Sequence, residues 1–129
     1  MFVYLSSEDK LNMEKVVIQK IKNTSGDVYT LAERYYGIMS VINDLKLTQR
    51  EIQLVAFTAI KGNMSYTNFR EEFCNIHETT PPTINNIISR LKKLGVLIKI
   101  DGKVKVNPII LLDFGLDVIL EIKLEHGNE

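Results

Sequence analysis

The stretch from Thr79 to Val106 constrains this chain more than any other. From Pro81 to Leu94 the apolar residues Ile84, Ile87, Ile88, Leu91 and Leu94 recur with the spacing of one helical face. Pro81 suits a first helical position, where no amide hydrogen is needed, and Pro82 is tolerated in the same turn. Thr80, just before them, is a candidate cap. Gly95 can stop the helix in the left-handed conformation that glycine permits. The run that follows, VLIKIDGKVKV, reads as two short strands around Asp101-Gly102, and Asn107-Pro108 ends it. No acidic residue occurs from Thr79 to Ile100. A helix with a polar outer face, a tight stop and a lysine-edged ribbon are expected in that order.

The register of the ribbon depends on its loop. A two-residue loop, Asp101-Gly102, places Lys103 and Lys105 on the face of Ile98 and Ile100. A three-residue loop, Asp101-Gly102-Lys103, gathers Ile98, Ile100, Val104 and Val106 and leaves Lys99 and Lys105 outside. Segregation of the faces favours the three-residue loop with a glycine bulge.

The chain has sixteen basic and sixteen acidic residues, but they are unevenly placed. Residues 46–108 hold ten Lys/Arg against five Asp/Glu, a net +5, whereas residues 1–45 carry −1 and residues 109–129 carry −4. A basic centre with an acidic tail fits a chain whose centre alone meets a polyanion, although solvated faces can share charge this way by chance. The single cysteine, Cys74, excludes an internal disulfide and suggests a reducing compartment. It reads as a small buried helix residue. The opening Met1–Ser7 lacks a basic n-region, and no apolar run approaches the length of a membrane span, so a cytoplasmic protein is expected.

Elsewhere the periodicities give an α+β chain. Leu11–Ile21 reads as a strand, and residues 27–45 read as a helix with Val28, Leu31, Ala32, Tyr35, Tyr36, Met39, Ile42 and Leu45 on its apolar face. Thr48 and Glu51 form a capping box for a helix so apolar that it should be covered on two sides. Its flank Leu54/Phe57 is a candidate dimer surface, as are the strands at 11–21 and 117–126. A short helix is expected over Ser65–Cys74 with Phe69 and Phe73 inward, then a turn from Asn75 to Thr79. Residues 109–116 are an apolar connector. Residues 117–126 alternate as a strand, with Val118, Leu120, Ile122 and Leu124 on the inner face, able to pair with the 11–21 strand.

Three helices followed by a hairpin, with the third helix running Thr83-Ile84-Asn85-Asn86-Ile87-Ile88-Ser89-Arg90-Leu91-Lys92-Lys93-Leu94 into Gly95-Val96-Leu97, resemble the winged helix-turn-helix family. The likeness is to MarR-type bacterial regulators and to plasmid or phage replication initiators, and it covers roughly residues 48–108. The whole chain also resembles small proteins of tailed phages of gut bacteria, which extends the expected location to the host cytoplasm or the virion. The organisation expected is a strand–helix extension (1–45), a winged helix-turn-helix domain of three helices plus a β-hairpin wing (46–108), and a C-terminal connector and strand that pack on the extension (109–129).

On a helical wheel the side opposite Ile84 and Leu91 holds Pro82, Asn86, Ser89 and Lys93, bordered by Asn85 and Arg90. The resemblance implies that the N-terminal part of this helix enters a major groove. Thr83, Asn85 and Asn86 are then the candidates for base edges, because Asn can pair with adenine in two bonds and Thr can bond a base or pack on a thymine methyl. Arg90 reaches a guanine or a phosphate, with Ser89 beside it. Thr80, Lys93, Lys99, Lys103 and Lys105 suit phosphates, which position without specifying. Ordinary solvent-facing residues would look the same one at a time.

No catalytic, metal or cofactor constellation emerges. Cys74 and His77 supply only two ligands, His126 lies far away, and there is no glycine-rich phosphate loop. Tyr29, Tyr35 and Tyr36 sit at helical spacing and read as packing. The leading expectation is a sequence-specific double-stranded DNA-binding protein, dimeric, acting in transcription regulation or replication. The alternative is a winged helix that binds protein subunits as a structural or assembly component of a phage particle. Neither reading involves a membrane.

Overall fold

A computed structural model of the chain describes residues 3–5, 15–22 and 26–124, and for residues 3–5 only the strand pairing. It is α+β, with four helices and two small antiparallel sheets among the described residues. In chain order these are β1 (Val3–Leu5), β2 (Val16–Ile21), α1 (Val28–Ile42), α2 (Gln49–Lys61), α3 (Phe69–His77), α4 (Pro81–Lys93), β3 (Leu97–Ile100) and β4 (Lys103–Val106). A single 3-10 turn, Pro108–Ile110, leads to β5 (Val118–Lys123). No helix among the described residues is long and apolar enough to cross a membrane.

Local chemistry explains most boundaries. The Asp27 carboxylate accepts from the Tyr29 amide at 2.9 Å and starts α1. The capping box of α2 is complete. The Glu51 amide donates to Thr48 Oγ1 at 3.2 Å, and the Thr48 amide donates to Glu51 Oε1 at 2.8 Å. The third helix differs from the expectation of Ser65–Cys74. It starts later, at Phe69, because residues 63–65 are drawn elsewhere: Asn63 Oδ1 accepts from the Ser65 amide at 2.8 Å and the Met64 amide donates to the Val104 carbonyl at 3.0 Å. It runs on to His77, where the expected turn would already have begun. Its stop is Glu78 in the left-handed region, with φ of 50°. A non-glycine stop of this kind leaves little trace in a sequence.

α1 covers one side of α2 through Leu31, Ala32, Tyr35 and Tyr36, while α3, α4 and the hairpin contribute Phe69, Phe73, Ile84, Ile88, Leu91, Leu97 and Val106 to the same core. Phe57 stands at its centre, with ring centroids 5.0 Å from Phe69, 5.5 Å from Phe73 and 5.9 Å from Tyr29. Leu54 and Phe57 are therefore fully buried, which removes them as a dimer surface. Leu94 departs in the other direction: it ends exposed, beyond the buried stripe of α4. Cys74 is half-buried at the core's edge.

The terminal strands form one sheet in the order β1-β2-β5, all antiparallel, with Ile21 opposite Val118 and Val16 opposite Lys123. The pairing expected between the two strand regions is present, although residues 11–14 of the expected strand, like 125 and 126 of the other, lie outside the described residues. β1 was not legible in the sequence. The sheet is fastened to the helices where Ile21 and Val118 enter the core and where Phe114 wedges against Tyr35 and Tyr36, at 5.6 and 5.7 Å between centroids.

The hairpin has the two-residue loop. Ile100 pairs with Lys103, Lys99 with Val104, Ile98 with Lys105 and Leu97 with Val106. Asp101 and Gly102 both have positive φ, 52° and 79°, as a type I′ turn requires. The three-residue loop expected from face segregation is thus incorrect. The twist match of an Asp-Gly turn prevails, and only Leu97 and Val106, at the root of the ribbon, need to be buried. Lys103 and Lys105 lie on one face and Lys99 on the other.

Two stability measurements follow. The Tyr36 hydroxyl is buried without a hydrogen-bond partner among the described residues. Tyr36→Phe should therefore raise stability by about 1 kcal/mol in urea unfolding, the cost of an unsatisfied buried donor. His77 packs on Phe73 at 4.5 Å between centroids. Burial first, and then the nearby Arg50 guanidinium, hold its pKa below the usual 6.5. The unfolded chain then takes up the proton first. The His77 contribution is complete above pH 6.5 and is lost as pH falls below it. A His77→Gln variant should show a flatter fall in melting temperature across that interval than the parent chain.

Candidate nucleic-acid interface

α4 is amphipathic with an open outer side. Ile84, Ile88 and Leu91 are buried, whereas Thr83, Asn85, Asn86, Ser89, Arg90, Lys92 and Lys93 are exposed. Thr80 occupies the cap position in an extended conformation but makes no cap bond. Its hydroxyl lies 3.1 Å from that of Thr83. Of the two amides that a cap side chain can take, Pro82 removes one, and the Thr80 hydroxyl meets the side chain of Thr83 and not its amide. The expected capping role of Thr80 is corrected to a hydroxyl pair at the mouth of the helix.

The helix ends in a Schellman arrangement. Gly95, at φ of 76°, donates its amide to the Lys92 carbonyl at 3.1 Å, and Val96 donates to Leu91 at 3.0 Å. Asn107 then clips the second strand to this stop. Its amide donates to the Val96 carbonyl at 2.9 Å, and its Nδ2 donates to the Gly95 carbonyl at 3.0 Å. The Met64–Val104 bond ties the other side of β4 to the end of α2. The ribbon is therefore fixed at its root on two sides, while Lys99, Asp101, Gly102 and Lys103 are exposed and Lys105 is half-buried.

Two arginines refine the site. Arg70, at the start of α3, donates from Nε to Asn85 Oδ1 at 3.3 Å on the exposed face. Sequence reasoning counted its charge without placing it, and only the packing of α3 on α4 reveals it. Arg90 is exposed but engaged within the chain. Its guanidinium binds the Glu51 carboxylate, and its Nη2 donates to the Leu45 carbonyl at 3.2 Å. Glu51 is 5% exposed and Arg90 43%. Arg90 thus joins the polar helix to the start of α2, and the outward cations of this face are Arg70, Lys92 and Lys93.

The expected residues fall in two groups. Thr80, Thr83, Asn85, Asn86, Ser89 and Lys93 share the open side of α4, and Lys99, Lys103 and Lys105 edge the ribbon. The lysines do not form one row, since the register places Lys99 on the face away from Lys103 and Lys105. Among the described residues no three His, Cys, Asp or Glu side chains come together to hold a metal ion.

Removing the guanidinium leaves a nearly buried carboxylate short of a charged donor. Arg90→Ala should cost about 1–3 kcal/mol in urea unfolding, and Arg90→Lys should recover part of the loss. An unchanged midpoint in Arg90→Ala would refute the tether.

The chain matches no protein-family model, no curated protein and no solved structure.

Proposed function

We propose that this protein is a sequence-specific double-stranded DNA-binding protein built as a winged helix-turn-helix, acting in transcription regulation or in replication. The observation that carries the reading is the open, acid-free side of α4, with Asn85, Asn86 and Thr83 at its N-terminal half and a lysine-edged, root-clamped hairpin beyond its C-terminal end. α4 lies in the major groove, α3 crosses behind it, and β3–β4 is the wing that meets the adjoining phosphates. Asn86 reads a base directly. Asn85 reads one together with Arg70, whose guanidinium can reach a phosphate from the same place. A two-fold dimer reading a palindromic site is the oligomer that this docking mode uses.

A second reading is favoured by one specific observation. Leu94 and Ile109 are exposed and line, with Asn43, Leu45 and Val96, a cavity of about 170 Å³, and Val41 and Ile42 are exposed at the end of α1, just before Asn43. Apolar groups grouped in this way fit protein contact, as in an assembly component of a phage particle.

A salt series separates the two. DNA binding through the lysines requires log affinity for duplex DNA to fall linearly with log salt, by about 0.9 per phosphate contact. Lys103→Ala should weaken binding to all duplexes alike and reduce that slope. Asn86→Ala should instead relax preference at one base, by about 1–3 kcal/mol, among sites selected from random duplex DNA. Absence of duplex binding at low salt removes the DNA reading and leaves the protein-contact one.

A further inference from the structure

We propose that Arg70 and Asn85 form one reading unit that selects guanine at a single base pair, and that Arg70 is the residue that sets this choice. The inference rests on the DNA-binding reading above and names a specificity determinant within it.

Arg70 follows Phe69 at the start of α3, Asn85 lies in the N-terminal half of α4, and both are exposed. The Arg70 Nε donates to Asn85 Oδ1 at 3.3 Å. A guanidinium has donors and no acceptor, so only the carboxamide oxygen can meet it. The contact therefore fixes which way round the carboxamide sits, with Nδ2 as its free end. The guanidinium keeps its charge for an outside partner. Among the described residues no carboxylate pairs with it: Glu72 is bound to Lys61 at 3.3 Å, and Glu51 is bound to Arg90. The Nη1 and Nη2 groups of Arg70 make no hydrogen bond among the described residues either.

An asparagine alone suits adenine, because its oxygen accepts from the N6 amino group while its nitrogen donates to N7. In Asn85 that oxygen already holds a guanidinium. An adenine amino group brought to it would stand beside a second N–H and a full positive charge. What the pair has left to offer is Nδ2 and the two Nη groups, all of them donors. Guanine is the base whose major-groove edge carries two acceptors, N7 and O6, and no donor. Cytosine presents a donor there, and thymine a single acceptor beside its methyl group. The planar fork of an arginine matches the two guanine acceptors in a pair of parallel bonds. With Nε held by Asn85, the end of the fork that carries Nη1 and Nη2 is the part that remains for the base. The choice of base thus belongs to the contact between α3 and α4 and not to α4 alone.

The test is selection of bound sites from random duplex DNA at low salt, run in parallel with the full parent chain, Arg70→Ala and Asn85→Ala. Both side chains are exposed, so both variants should keep the parent far-UV circular dichroism. The parent should enrich guanine over the other bases at one position by about tenfold or more. In Arg70→Ala the Asn85 carboxamide is released, and the same position should change to adenine while the other positions keep their bases. Asn85→Ala should lower the guanine preference without any gain of adenine. A change of base identity cannot come from a loss of stability, which weakens binding to every sequence alike. An Arg70→Ala motif identical to that of the parent, with affinity reduced for all duplexes equally, overturns the proposal and makes Arg70 a phosphate contact only. So does a parent motif in which the position altered by Arg70→Ala is not guanine. Both results leave DNA binding itself intact. A parent chain that enriches no duplex overturns the proposal together with the DNA-binding reading.

Discussion

The Glu51 carboxylate closes the capping box that starts α2 and at the same time binds the guanidinium of Arg90, in the last turn of the exposed helix α4. Arg90 also holds the Leu45 carbonyl in the linker between α1 and α2. One nearly buried charge therefore fixes three separate segments. A neutral residue could cap α2 and an apolar one could fill the space, but neither would bind both the α2 start and Arg90 of α4.

The rest of the chain is built outward from Phe57. The helices meet around its ring, and the terminal sheet is joined to them by a small set of contacts: Ile21 and Val118 as a cross-strand pair, and Phe114 between two tyrosines of α1. The terminal sheet and the outer side of α4 are consequently carried by different parts of the chain and are linked through the body of α1. The partition of charge follows the same division, basic over residues 46–108 and acidic over 109–129.

Where one element dominates its own local energetics, the sequence was readable. The capping box, the proline start of α4, its glycine stop and the presence of β5 were all legible, because each depends on residues within a few positions of one another, although Ile122 and Leu124, expected on the inner face of β5, are exposed. The tyrosines of α1 were rightly taken as packing. What failed depended on distant partners or on local backbone conformations that leave little pattern. The limits of α3 are set by Met64 reaching Val104 and by a left-handed Glu78. The hairpin register looked like a contest between two patterns, and turn geometry decided it against the pattern with the better-segregated faces. At the candidate site the exposed side of α4 followed from periodicity alone. The engagement of Arg90 with Glu51 and the approach of Arg70 to Asn85 required the crossing of helices that no single stretch of sequence records.

The double proline at the start of α4 has a consequence for any anion that approaches this end of the helix. Helix starts usually attract phosphates with a cluster of main-chain donors, but here the ring nitrogens of Pro81 and Pro82 have none to give, so Thr83 alone of the first three helical positions carries an amide hydrogen. The partial positive charge of the helix remains while most of the groups that would deliver it are gone. Contact at this end thus falls to hydroxyl and carboxamide side chains, which can be exchanged one by one. A backbone cradle grips every sequence equally, whereas this arrangement lets selectivity change without rebuilding the helix beneath it.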